Sequence, residues 1–194
     1  MLIAYLLGSI PSGVWLGKLF YKTDIRDYGS GNTGATNTFR ILGVKAGIVA
    51  MIADVLKGTL AASLPILFHS DIHPVFIGVF AILGHVYSVY IKFQGGKAVA
   101  TSAGVVLAIH PIYLIIFLGV FLIILYATST VSVASISAVS LAAIFSFFLH
   151  DLVFALVVVV IALGVIYLHR ENISRIKEGT ENRVSFGLKP NKNK

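Results

Sequence analysis

Residues 30–37 read Ser-Gly-Asn-Thr-Gly-Ala-Thr-Asn, and Arg40 follows shortly after them. Glycines and other small residues let a backbone turn tightly and bring its N–H groups close to a ligand, while hydroxyl, amide and guanidinium groups supply further hydrogen-bond donors. This composition is typical of an anion-binding loop, and we call residues 30–37 the cradle loop. The alternative interpretation is a polar connecting loop whose side chains cap neighbouring helices.

Gly95-Gly96-Lys97 is a second candidate anion site. The glycine pair allows close approach of the backbone, and Lys97 carries a positive charge. We expect a helix to begin just after Lys97 and to direct free N–H groups towards the same place. The run lacks the spacing of a P-loop, so on its own it does not identify a nucleotide site.

Asp54 and Lys57 lie three residues apart inside an apolar stretch. Ionisable groups within a membrane are costly unless they pair or face a polar cavity. Their spacing places both side chains on one helical face, which indicates either a functional site or a structural ion pair.

The composition is that of an integral membrane protein. Of 194 residues, 57% are hydrophobic and 12% are charged, the net charge is +7, and there is no cysteine. An ordinary soluble domain, disulfides and cysteine-based metal sites are therefore excluded. Basic residues beside membrane spans more often set orientation than bind nucleic acid, so we predict a membrane-lipid environment and no nucleic-acid partner. Because there is no dense carboxylate cluster, we also predict no metal and no cofactor.

We predict an all-α fold, a polytopic integral membrane protein that forms a single domain over residues 1–194. The first span is expected to bend near Pro11 and to remain as a transmembrane helix, because neither a basic segment before it nor a small-residue cleavage site marks a signal peptide. The tail, residues 169–194, is expected to begin with a short interfacial helix. The seven predicted transmembrane helices cover approximately residues 2–20, 46–68, 75–91, 98–109, 112–127, 131–149 and 152–168.

The positions of lysine and arginine predict the orientation of these spans. The loop after the first span is basic, so the positive-inside rule places it in the cytoplasm and the N-terminus outside. The basic tail is cytoplasmic as well only if a break at His110-Pro111 divides the apolar stretch after Lys97. With that break, every lysine and arginine except Lys57 is cytoplasmic or at that interface. The fourth helix then has only about 12 residues, where roughly 20 normally cross a bilayer.

Other polar residues are expected at the same membrane face: His85, Ser88, Ser135, His169 and Asn172. Transmembrane serines often serve close helix packing, and a basic tail often serves only to contact anionic lipid. The combined set nevertheless favours an enzyme or a transporter that handles phosphate esters at the lipid boundary. A transporter would place its site near the bilayer midplane between repeated halves, and the sequence shows no such repeat. A non-enzymatic membrane subunit would have no use for three separate polar motifs.

Three long stretches resemble the signature motifs of PlsY, the bacterial acyl-phosphate:glycerol-3-phosphate acyltransferase family. They are residues 30–40, residues 54–58, and residues 84–88 continuing through 93–101, and the resemblance extends to residues 169–173. It implies transfer of a fatty acyl group from acyl phosphate to the sn-1 hydroxyl of glycerol 3-phosphate, giving lysophosphatidic acid and phosphate without coenzyme A. It also implies a multi-pass protein of the bacterial inner membrane whose active site faces the cytoplasm, and a separate enzyme that supplies acyl phosphate.

The resemblance further implies roles for individual residues. Those implied to hold glycerol 3-phosphate are Arg40, Lys97, Ser135, His169 and Asn172. Those implied to serve the acyl-phosphate side are Ser30, Gly31, Asn32, Thr33, Gly34, Thr36, Asn37, Lys57, His85, Ser88, Gly95 and Gly96. The implied catalytic residues are Ser30, His85, Lys97 and Asn172.

The identity of the general base stays open between His85 and the substrate. Five positions after His85 the residue is Tyr90, so the chain lacks the His-x4-Asp pair of the coenzyme-A-dependent acyltransferases. No neighbour along the chain supplies a carboxylate to orient the imidazole. We therefore expect the phosphate of an activated donor to accept the proton, with His85 acting mainly in donor binding.

The predicted helix break can be tested with reporter fusions at His110 and Thr130. Because one membrane span separates them, the two fusions should report opposite sides, with His110 external and Thr130 cytoplasmic. Reports from the same side for both fusions would contradict the break.

Overall fold

The computed structural model describes residues 1–190, and in that part of the chain the regular elements are helices, with no strand. The predicted all-α class is confirmed. The tail residues Lys192 and Lys194 lie outside the described residues. The chain divides into two compact units, Met1–Pro111 and the residues from Ile112 onwards.

The first unit contains six α-helices and two short 3₁₀ turns. The turns cover Ile25–Asp27 and Val89–Ile91. The helices are α1 (Leu2–Ser9), α2 (Ser12–Tyr21), α3 (Ala35–Leu42), α4 (Val44–Leu67), α5 (Pro74–Val86) and α6 (Val99–Ile109).

The first apolar segment is broken into α1 and α2, whose axes differ by 44°. Pro11 has no backbone N–H and cannot continue the hydrogen-bond ladder of α1. The chain turns there through a hydrogen bond from the Ser12 backbone N–H to the Ile10 carbonyl, 3.1 Å long. The predicted bend is therefore confirmed.

Glycines set the close helix packing of this unit. A methyl group on Gly84 in α5 would overlap the backbone of α1 at Tyr5 and Ser9. Gly58 in α4 likewise faces the Thr101 carbonyl of α6, where a methyl group has no room. Helices in membranes gain little from the hydrophobic effect, so small residues that let backbones approach supply much of their packing energy.

The second unit contains α7 (Pro111–Thr128, beginning at the boundary), α8 (Val131–Phe145), α9 (Leu152–Leu168), α10 (Arg170–Lys177) and a 3₁₀ turn over Ser146–Leu149. The Tyr113 hydroxyl on α7 donates to the Ala142 carbonyl on α8. Beyond α10, the backbone N–H groups of Val184 and Leu188 donate to the Ser129 and Tyr126 carbonyls, both at 2.8 Å. The tail thus folds back onto the α7–α8 turn, and the predicted short helix at its start is α10.

The helix lengths bear on the predicted seven spans. α6 ends at Ile109 and α7 begins at Pro111, so the predicted break is present. Within residues 1–190, four apolar helices are long enough to cross a membrane, when α5 and α8 are counted together with the 3₁₀ turns that follow them. The count is six if each of two bent pairs is also one span, and α6 is a shorter apolar helix. A count of seven requires α6 to cross as well, and that count stays a prediction.

Gly84→Ala tests the packing of α1 against α5. The added methyl group must displace backbone atoms, so we expect the free energy of unfolding in detergent to fall by about 1–3 kcal/mol. The melting temperature should fall with it. Gly119→Ala in α7 is the matched control, because nothing lies within 4 Å of the added methyl group. Equal melting temperatures for both variants would contradict the proposed contact.

Candidate functional site

The cradle loop is held in shape by the Asn37 side chain. Its Oδ1 atom accepts the Ser30 backbone N–H at 3.0 Å, and its Nδ2 group donates to the carbonyls of Ile25 at 2.8 Å and Tyr28 at 3.2 Å. Gly31 adopts φ +68°, a backbone conformation that favours glycine. Asn37 is only 1% exposed, so its polar atoms stabilise the loop from inside.

The last three residues of the cradle loop, 35–37, form the first turn of α3. Gly34 caps this helix, and its N–H donates to Asn32 Oδ1 at 2.9 Å. Arg40 lies one turn further on, half-buried, with a long contact of 3.4 Å to Asn37 Oδ1. Ser30, Gly31 and Thr36 are exposed.

An ion pair orders the approach to the loop. Arg26 Nη2 lies 2.6 Å from Asp24 Oδ2, and Lys18 Nζ lies 3.1 Å from the same oxygen. The hydrogen bonds from Arg26 hold the pKa of the Asp24 carboxyl well below its usual range, although partial burial acts in the opposite direction.

The second glycine segment packs against the end of α5. The N–H groups of Gly95 and Gly96 donate to the carbonyls of Val86 and His85, at 2.9 and 3.0 Å. A methyl group on Gly96 would overlap the His85 imidazole at Nε2 and would lie 3.1 Å from Thr33 Oγ1. The two predicted anion segments therefore meet beside His85.

Asp54 is the centre of a buried polar cluster next to this meeting point. Its Oδ1 atom lies 2.8 Å from Lys57 Nζ, accepts the Ser12 hydroxyl at 3.0 Å, and lies 3.7 Å from His85 Nδ1. Lys57 also donates to the Ile10 carbonyl at 2.8 Å. Asp54, Lys57 and His85 are 2%, 4% and 8% exposed. Asp54 and Lys57 therefore form an ion pair, and a functional role for this pair stays a prediction.

Ser88 and Lys97 extend the same region. The Ser88 hydroxyl donates to the Ser9 carbonyl at the end of α1. Lys97 is half-buried and lies two residues before Val99, where α6 begins. The predicted helix start after Lys97 is therefore confirmed.

In the second unit, Glu181 gathers the polar side chains. Its carboxylate accepts from Asn172 Nδ2 at 2.6 Å, Ser132 Oγ at 2.9 Å and Arg175 Nε at 2.8 Å. Partial burial acts to raise the pKa of Glu181, but these hydrogen bonds outweigh it and lower the pKa below its ordinary value. Ser135 lies buried on α8, one turn after Ser132.

His169 joins α9 to α10 and is buried, with its Nδ1 atom 2.8 Å from the Val165 carbonyl. A carbonyl oxygen can only accept, so Nδ1 donates in this contact and the Nε2 atom of the neutral ring is a hydrogen-bond acceptor. His169 and Asn172 thus occupy the first turn of α10, where the sequence predicts them to lie one turn apart.

Two features were not predicted from the sequence. Glu181 is one of three glutamates in a basic tail, and no local spacing connects it with Ser132 on α8. Asp54 approaches His85 from a different helix, whereas the expected absence of an orienting carboxylate considered only neighbours along the chain. A buried carboxylate loses its hydration, and one lysine alone offsets only part of that free-energy cost. This cost was the signal in the sequence that Asp54 has further partners.

The fold and the two polar clusters define an all-helical integral membrane protein with paired glycine-rich segments suited to anionic ligands. A family model described as Glycerol-3-phosphate acyltransferase matches residues 1–179. The chain is 53% identical to the glycerol-3-phosphate acyltransferase of Bacillus subtilis (strain 168), over 96% of each chain. It is also 53% identical to that of Enterococcus faecalis (strain ATCC 700802 / V583), over 99% of this chain and 94% of the relative.

Two solved structures are similar as well. One is PlsY (YgiH), an integral membrane glycerol 3-phosphate acyltransferase, in its glycerol 3-phosphate form, with a TM-score of 0.89 and 40% identity over 94% of this chain and 92% of that chain. The other is the lysophosphatidic acid form, with a TM-score of 0.86 and 39% identity over the same shares. The chain therefore belongs to the PlsY family and is a membrane glycerol-3-phosphate acyltransferase.

Glu181→Gln tests the cluster in the second unit. A lowered pKa means that the ionised carboxylate stabilises the fold above the pKa of the unfolded chain, and that this contribution is lost as the pH falls through the folded pKa. We expect the variant to be about 1–3 kcal/mol less stable at pH 7. The difference in melting temperature from the parent should narrow as the pH falls below the ordinary glutamate pKa of about 4.3.

Glu178→Gln is the matched control, because Glu178 is exposed on the same segment. A loss as large for Glu178→Gln, or a difference for Glu181→Gln that stays constant with pH, would contradict this account.

Proposed function

We propose that the chain transfers a fatty acyl group from acyl phosphate to the sn-1 hydroxyl of glycerol 3-phosphate. The hydroxyl oxygen forms an ester bond with the acyl carbon, the bond from that carbon to the phosphate oxygen breaks, and lysophosphatidic acid and phosphate leave. The observation that carries the proposal is the meeting of the cradle loop with Gly95-Gly96 beside His85. The N–H groups of Gly95 and Gly96 are bonded to carbonyls of α5, so the glycine pair gives the two segments room to approach each other. The exposed hydroxyls of Ser30 and Thr36 can then donate to an acyl donor that ends in a phosphate.

The donor side is proposed to include the cradle loop, the glycine pair and the residues around His85. Asn37 and Asn32 support this role by fixing the backbone of the cradle loop. Gly96 supports it because the absence of a side chain lets its own segment lie against the imidazole, close to Thr33 of the cradle loop. Lys57 and Ser88 are proposed to support the donor side from within the first unit. Both donate hydrogen bonds to backbone carbonyls at the break between α1 and α2.

The acceptor side is proposed to use the residues that can grip a phosphomonoester or orient a glycerol hydroxyl. A guanidinium can donate two parallel hydrogen bonds to a phosphate, and an ammonium adds a point charge. The proposed acceptor residues are Arg40, Lys97, Ser135, His169 and Asn172.

The catalytic contribution is proposed to be positioning and electrostatic stabilisation. Acyl phosphate is already activated, and its phosphate oxygens lie close to the carbonyl under attack. One of these oxygens accepts the proton of the attacking hydroxyl, and that proton leaves with the phosphate. Ser30, Lys97 and Asn172 then orient the reacting groups, and His85 binds the donor.

The proposed setting is the bacterial inner membrane, with seven spans, an external N-terminus and a cytoplasmic C-terminus and active site. The basic loops support this orientation by the positive-inside rule. Acyl phosphate is a reactive amphiphile, so a separate enzyme must supply it at the same membrane.

The function can be tested by incubating the purified protein, in lipid, with radiolabelled glycerol 3-phosphate and palmitoyl phosphate. Labelled lysophosphatidic acid is the expected product, and its absence would refute the proposed donor.

Arg40→Lys keeps the charge but loses the paired hydrogen bonds, so kcat/KM for glycerol 3-phosphate should fall about 10-fold to 100-fold. Lys45→Ala, an exposed cation at the start of α4, should leave it unchanged. Near-normal activity of Arg40→Lys would limit Arg40 to helping to set the orientation of the chain in the membrane.

A further inference from the structure

We infer that Asp54 is a positioning residue that directs the imidazole of His85 towards the junction of the cradle loop and the Gly95-Gly96 segment. This inference rests on the proposed function, in which that junction receives the phosphate end of the acyl donor. It adds a role for a carboxylate on a different helix, α4, in the placement of a side chain on α5.

The two nitrogens of His85 face different surroundings. Nδ1 lies 3.7 Å from Asp54 Oδ1, within the range of charge interaction. Nε2 lies on the opposite side of the ring, against Gly96 and near Thr33 Oγ1. The ring therefore extends from the buried carboxylate to the place where the two glycine-rich segments meet.

A carboxylate beside Nδ1 favours a proton on that nitrogen, in both the neutral and the charged ring. Nε2 is then the nitrogen available to the donor. In the neutral ring it accepts a hydrogen bond from a protonated phosphate oxygen, and in the charged ring it donates one to an ionised oxygen. In both forms Asp54 acts on the donor through His85 and does not touch it.

The position of Asp54 is itself over-determined. Its Oδ1 atom accepts hydrogen bonds from Ser12 on α2 and Lys57 on α4, and Lys57 is tied to the Ile10 carbonyl. The charge of Lys57 balances that of Asp54, so the carboxylate can remain ionised although it is buried. Anchoring from two helices prevents the carboxylate from turning away from His85.

The inference is tested directly by ¹⁵N NMR of the histidine-labelled protein in lipid nanodiscs, with His85→Gln used to assign the His85 signals. We expect Nδ1 of His85 to be protonated. An unprotonated Nδ1 would overturn the inference. This measurement uses the unmodified chain and does not depend on any variant of Asp54 folding.

A double-mutant cycle in the acyl-transfer assay separates positioning from a merely structural role. Asp54→Asn should raise KM for palmitoyl phosphate about fivefold or more in the parent protein, and less than about twofold in a His85→Gln background, with KM for glycerol 3-phosphate unchanged. Asp54→Asn combined with Lys57→Gln removes both charges and replaces the single variant if an unpaired Lys57 prevents folding. Thr59→Val, which removes a hydrogen bond from α4 to the Gly104 carbonyl, is the control and should leave the donor KM unchanged.

An equal effect of Asp54→Asn in both backgrounds would overturn the inference, and so would an effect as large for Thr59→Val. Absence of lysophosphatidic acid from the parent protein would refute the proposed function instead. In that case the NMR measurement would still show whether Nδ1 of His85 carries the proton that the interaction with Asp54 requires.

Discussion

The break in the first apolar segment imposes the constraint on which the first unit depends. A helix that stops inside a membrane leaves carbonyl groups without partners, and lipid cannot supply them. Ser88 and Lys57 donate to two of the carbonyls at this break, those of Ser9 and Ile10, and the Ile10 carbonyl also accepts the Ser12 backbone N–H. Lys57 in turn requires a counter-charge, which Asp54 provides. The polar cluster beside the glycine-rich segments therefore follows from satisfying a broken helix.

The two glycine-rich segments need glycine for different physical reasons. Gly31 is needed for its backbone angle, because φ +68° is unfavourable for other residues. Gly96 is needed for space, because the His85 imidazole lies where a side chain would begin. A single residue type thus solves a conformational problem in one segment and a packing problem in the other.

Much of this arrangement could be predicted from spacing along the chain. Proline at positions 11 and 111 marked two helix breaks, and the separation of Asp54 from Lys57 by three residues placed them on one helical face. Contacts between residues far apart in the sequence could not be predicted, because periodicity describes neighbours on one helix only. Asp54 beside His85 and Glu181 beside Ser132 are both of this kind. The motifs and the family resemblance located the candidate residues, and the three-dimensional structure supplied the carboxylates that hold them.

The length of α6 has a consequence for the surrounding lipid. Its 11 residues rise about 16 Å, roughly half the thickness of the hydrocarbon core, whereas the 24 residues of α4 rise about 36 Å. In the predicted seven-span arrangement α6 crosses the membrane beside α4, and neighbouring helices of such different reach cannot both match one flat bilayer. Either protein must then surround the ends of α6, or the bilayer must thin beside it at a cost that grows with lipid chain length. In the second case, bilayer thickness is a variable to which the first unit would respond mechanically, through this short span.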